Sequence, residues 1–166
     1  MQKAVQIHDD ILRSRLAPHR GYEITTAGDA FQLAFHTMRE AAEYCIDVQN
    51  RLLAADWPDE LHNMVPATAK ERWGHRYVFR GLRVRMGIHD AAECEGPLVV
   101  DVHAVTGKTT YTGASEVVAS SVGDLGAGGQ IVATRRVAEW LEQHSELVDE
   151  QFEVDFLREL IVPQVN

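Results

Sequence analysis

The chain has 166 residues, 45% hydrophobic and 25% charged, which suits one domain with a core of its own and is too little for two. A formal net charge of -9 argues against nucleic acid or an anionic membrane surface as partner, because no basic excess is available to meet phosphates. No apolar run reaches the roughly 18 residues of a spanning helix, and the opening MQKAVQIHDD has acids where a secretory signal has an apolar stretch, so the expected setting is intracellular.

Apolar residues at Ala4, Ile7, Ile11, Leu12 and Leu16 recur at helical spacing and predict a helix over Ala4–Arg20, with Pro18 and Gly21 at its exit. Tyr22–Ala27 and Ala30–Phe35 are rich in Thr, Ile and Phe, and Gly28-Asp29 between them predicts a hairpin turn. Thr37 to Asp56 contains neither Gly nor Pro and carries Ala41, Cys45, Val48 and Leu52 on one face. This is an amphipathic helix, opened by a Thr37/Glu40 capping box and closed by Trp57-Pro58. Residues 57–80 are polar and irregular, with Pro66 inside, and are expected to form an insertion loop within a single domain spanning 1–166.

Leu82, Val84, Met86 and Ile88 then alternate with Arg83, Arg85, Gly87 and His89, a period-two strand. Leu98–His103 is a shorter strand, Glu116–Leu125 a helix, Gly128–Thr134 a strand and Arg135–His144 a helix. Weak alternation over Glu146–Leu160 reads as a last hairpin. Cys45 and Cys94 have no CxxC spacing and read as reduced, buried thiols. Mixed elements in this order predict an α+β fold with helices on one sheet.

Four blocks carry a resemblance to a known family. GYEITTAGDAFQLAF, AAEYCIDVQNRLLAADWP, GLRVRMGIH and VTGKTTYTGASEVVASSVGDLGAGGQIV resemble, in order and with spacing kept, the catalytic domain of class III nucleotidyl cyclases. The resemblance is nearest to the fungal and protist adenylate cyclases and covers roughly residues 4 to 134. It implies a ferredoxin-like βαββαβ core that dimerises head to tail, with the active site between the two copies. In that family two metal aspartates come from one side. A lysine and an aspartate that read adenine, and an asparagine and an arginine that hold ribose and phosphate, come from the other. Two metals would activate the 3′-hydroxyl and clamp the triphosphate, and the arginine would offset charge growing in the transition state.

On this sequence the second metal aspartate falls on Asp29. The adenine-reading lysine and aspartate fall on Thr25 and Thr110, the asparagine on Val117 and the arginine on Ser121. A valine cannot hydrogen-bond a ribose, and a serine brings no charge to a phosphate. In the family the first metal aspartate lies on a strand before the first helix. The chain opens inside that helix, so the expected fold lacks this first strand. Asp29 fits two readings, a metal ligand or the polar residue of a Gly-Asp turn.

Other signals are weaker. Thr106-Gly107-Lys108-Thr109 resembles the end of a P-loop, but Val102 stands where that motif needs glycine. Gly126 to Gly129 reads as a turn before a strand. His89 reads as packing, and His62 and His75 have no Cys or His at zinc spacing. Arg83 and Arg85 read as a solvated or ion-paired strand face, and Trp57, Trp73 and Trp140 are open to partner anchoring.

The functional expectation is a degenerate cyclase-like domain that makes no cyclic nucleotide alone, needs no cofactor, and acts as a binding or scaffold subunit. Its partner would be a protein pairing with the sheet or the cyclase-type dimer face, since a missing strand leaves open edges. The alternative is the metal-binding half of a heterodimeric cyclase, with Asp29 on Mg²⁺ and the substrate groups supplied by the partner.

Overall fold

Helix α1 (Gln2–Leu16) buries Ala4, His8, Leu12 and Leu16 at four-residue spacing and lays that stripe on α2 (Met38–Ala54), which buries Ala41, Ala42, Tyr44, Cys45, Val48 and Leu52. The computed structural model describes residues 1–64, 68, 70–92, 96, 98–102, 104, 105, 107, 109–149 and 152–156. The Tyr44 hydroxyl donates to the Leu12 carbonyl at 3.1 Å, so the two helices are tied by a buried hydrogen bond as well as by packing. At the start of α2 the Thr37 hydroxyl accepts from the Glu40 amide at 3.2 Å. The Glu40 carboxylate pairs with Arg20 at 3.1 Å.

Strands β1 (Tyr22–Ala27) and β2 (Ala30–Ala34) form the expected antiparallel hairpin, with a bulge between Glu23 and Thr25. The turn needs a positive φ at Gly28 (+66°), which only glycine takes without strain.

The expected insertion loop is more ordered than its composition suggests. Within it lie helix α3 (Asp59–Met64) and an antiparallel hairpin of β3 (Glu71–Trp73) and β4 (Arg76–Phe79). Two side chains anchor it. Trp57 is buried and donates its indole N–H to the Leu52 carbonyl at 2.7 Å, and the Thr68 hydroxyl donates to the Leu61 carbonyl at 2.9 Å. Gly81 comes so close to Trp57 that a Cβ there would lie 2.2 Å from the indole.

The predicted strand over Leu82–His89 is regular only at β5 (Met86–Ile88), which pairs in parallel with β8 (Ile131–Ala133). Upstream, the Val84 carbonyl accepts from the Gly129 amide at 2.9 Å and from Gln49 Nε2 at 2.7 Å, so a loop and a helix take the place of a neighbouring strand. Helix α4 (Ala114–Leu125) crosses β5 and β8. The crossing is tight because Gly87 faces Gly123: a Cβ on Gly87 would stand 2.3 Å from the Gly123 nitrogen.

Strands β6 (Val99–Val102) and β7 (Thr109–Thr112) form another hairpin, of which β7 adds a strand that the sequence pattern did not predict. Helix α5 (Arg135–Gln143) buries Val137 and Leu141 and packs on α2. Of the segment expected to form a last hairpin, the described residues hold a 3₁₀ turn at Ser145–Leu147 and no strand; residues 150, 151 and 157–160, like Cys94, lie outside the described residues. The main core gathers α1, α2 and α5 around Ile88, Trp57, Leu61 and Val148. The strands pair as four two-stranded ladders, and the Thr109 amide donates to the Tyr22 hydroxyl at 2.9 Å where β7 runs beside β1.

Candidate functional site

Three elements bring the sequence-predicted positions to one wall. Thr25 stands on β1, directly across from Gln32 on β2, and directly opposed residues share a face of the sheet. Gln32 reaches α4, where its Nε2 donates to Glu116 Oε1 at 3.1 Å. Glu116 precedes Val117, and Ser121 follows one turn later on the same helix. Thr110 lies on β7, which packs against both β1 and α4.

Two of the polar groups at these positions are bonded to the chain itself. Ser121 Oγ donates to the Val117 carbonyl at 2.8 Å, and Thr110 Oγ1 donates to the Asp101 carbonyl at 3.3 Å across the β6–β7 hairpin. None of the four positions carries a cation. Glu116 and Gln32 are the wall residues that sequence reading missed. Gln32 interrupts an otherwise apolar strand, AFQLAF, and that break in pattern was the available signal.

Asp29 stands apart at the exposed tip of the β1–β2 turn. Among the described residues no three His, Cys, Asp or Glu side chains converge as a metal site. A single exposed carboxylate does not fit the two-metal arrangement that cyclase chemistry uses, which requires several shared oxygen ligands.

The other candidates have structural surroundings. His89 Nδ1 lies 3.3 Å from Thr134 Oγ1, and His62 Nδ1 lies 2.6 Å from the Thr68 carbonyl. Arg83 pairs with Glu71 at 2.6 Å and Arg85 with Asp124 at 2.8 Å. Cys45 is buried on α2, and burial pushes its thiol up to about 12. No described helix is long and apolar enough to cross a membrane.

A mixed α+β domain with a GDAF turn, and with a wall shared by a hairpin and the helix that Gln32 reaches, fits a nucleotidyl cyclase domain. The family model for the adenylate and guanylate cyclase catalytic domain matches residues 1–163, and the chain belongs to that family. It is 37% identical over 131 residues to an adenylate cyclase of Lachancea kluyveri, which covers 79% of this chain and 7% of that protein. It is 34% identical over 143 residues to an adenylate cyclase of Schizosaccharomyces pombe, covering 86% of this chain and 8% of the relative. The chain thus spans less than a tenth of the length of these relatives. A solved adenylate cyclase of Trypanosoma brucei, described in its monomeric state, superposes with a TM-score of 0.73 at 25% identity, over 88% of this chain and 69% of that one.

Proposed function

We propose that this chain is a cyclase-fold binding module that turns over no nucleotide by itself. The observation that carries the reading is the makeup of the wall. Where the family places a lysine, an aspartate, an asparagine and an arginine, this chain has Thr25, Thr110, Val117 and Ser121, and it adds the Glu116 carboxylate beside them. A triphosphate brought there meets no positive charge at those four positions and one carboxylate beside them, so binding loses the charge-assisted hydrogen bonds that dominate phosphate recognition. A fold keeps its shape when its site changes, and what remains available is its surface. The test is cyclic-nucleotide production by the purified chain with ATP or GTP and Mg²⁺ or Mn²⁺. Product above a heat-killed control, abolished by Asp29→Ala, would overturn the reading.

A second reading has one observation in its favour. Asp29 keeps the family's Gly-Asp-Ala-Phe setting and is open to solvent at a hairpin tip. In that reading the chain lends a metal-binding carboxylate to a partner cyclase domain that brings intact substrate groups. Mixing the chain with such a domain, itself crippled in its metal aspartates, separates the two. Activity that depends on Asp29 supports the second reading, and silence supports the first.

A further inference from the structure

The β3–β4 hairpin concentrates charge of the opposite sign to the rest of the chain. Six of the 16 lysines and arginines fall between residues 70 and 85, against a single acid there, Glu71, in a chain of net charge -9. Its two faces differ. Tyr77 and Phe79 are half-buried, with Arg72 and Arg83 stacked over their rings at 4.2 and 3.8 Å. The other face shows Trp73, 86% exposed, directly across from exposed Arg76, with Val78 45% exposed beyond. Lys70, Arg80 and Arg83 have acidic partners, whereas Arg76 has no ion pair among the described residues. Strand β3 pairs only with β4 among the described residues, so its outer edge carries open backbone donors and acceptors.

We propose that this face docks an extended acidic segment of a protein partner. Such a segment would add to the β3 edge, lay an apolar side chain against Trp73 and set a carboxylate within reach of the long Arg76 side chain. Exposed Trp, Tyr and Arg are the residue types that carry most interface binding, and strand addition supplies backbone hydrogen bonds without sequence demands. Charge complementarity selects the acidic partner. It also selects a peptide over an anionic bilayer. Asp56 and Asp59 are fully exposed beside the hairpin and would be pressed against lipid phosphates by a flat surface, whereas a narrow segment reaches Trp73 and Arg76 alone.

The probes are short peptides that alternate valine with glutamate or, as the control, with glutamine. Binding to the full chain is followed by calorimetry and by the Trp73 indole resonance. The glutamate peptide should bind about tenfold more tightly than the control, an advantage that closes at about 1 M salt, where screening is within a few ångströms. Arg76→Glu should remove the advantage, and Trp73→Ala should weaken both peptides, with circular dichroism unchanged. Equal binding of the two peptides, or binding that leaves the Trp73 signal unmoved, would overturn the proposal. So would phosphatidylserine vesicles that move the Trp73 signal when the peptides do not. The hairpin lies outside the Thr25–Ser121 wall, so these outcomes are separable from the nucleotide tests above.

Discussion

Ser121 Oγ donates to the Val117 carbonyl one turn back on α4, at 2.8 Å, so the hydroxyl is bonded to the backbone of its own helix. A serine bonded to its i−4 carbonyl adds little to helix stability. Restoring the family residues should therefore gain binding without harming the fold. The variant Thr25→Lys, Thr110→Asp, Val117→Asn, Ser121→Arg is expected to bind ATP at least about tenfold more tightly than the parent chain, for which calorimetry should find a dissociation constant weaker than about 10 μM. Parent-level binding by the variant would show that the wall is closed for some reason other than these four side chains.

The shape of that wall was partly legible in the sequence. Gly28-Asp29 between two short β-rich runs predicts the hairpin because few other sequences permit the turn, and Thr37 to Asp56 reads as a helix because one face is apolar, the observed helix ending two residues earlier at Ala54. Strand β7 was not legible. Its residues Thr109–Thr112 have no apolar alternation, and the strand is fixed by pairing with β6 and by the contact of Tyr22 with Thr109. The β3–β4 hairpin was hidden for a related reason. Its order comes from Trp57 and Leu61 packing into the core from outside the strands, which local periodicity does not record. The Gln32–Glu116 bridge joins residues 84 apart in sequence, beyond the reach of any motif.

Where β5 crosses α4 the two backbones nearly touch. A Cβ at Gly87 would fall 2.3 Å from the Gly123 nitrogen, and a backbone atom cannot rotate aside as a side chain can. Gly87→Ala is expected to destabilise the chain by about 1–3 kcal/mol, the usual range for overpacking, read as a lower urea midpoint at unchanged m-value. An unchanged midpoint would mean that the helix does not sit on the strand as described.

Cys45 should be chemically silent while the chain is folded. Burial raises its thiol to about 12, so almost none is thiolate at pH 8, and reagents have no path to it. In a Cys94→Ser background, Ellman's reagent should label Cys45 only at the rate of unfolding and fully in denaturant. Rapid labelling under native conditions would place Cys45 outside the α1–α2 core.

Asp47 on α2 gathers three basic side chains: Arg15 of α1 at 2.5 Å, His19 of the 3₁₀ turn that follows α1 at 3.1 Å, and Arg51 of α2 itself at 2.7 Å. Burial opposes its ionisation, but hydrogen bonds from His19, Arg15 and Arg51 outweigh that and hold its pKa below 3.8. A carboxyl depressed in the folded state contributes stability above its unfolded pKa and loses it as pH falls through the folded value. The contribution should therefore be complete at pH 7 and begin to fade below about pH 4. Asp47→Asn is expected to cost about 2 kcal/mol at neutral pH, the scale of a hydrogen bond to a charged group. Urea denaturation of parent and variant at neutral and acidic pH checks both size and sign. The gap between them should narrow on acidification, and a gap that stayed constant or widened would show that Asp47 is not the charged centre joining α1 to α2.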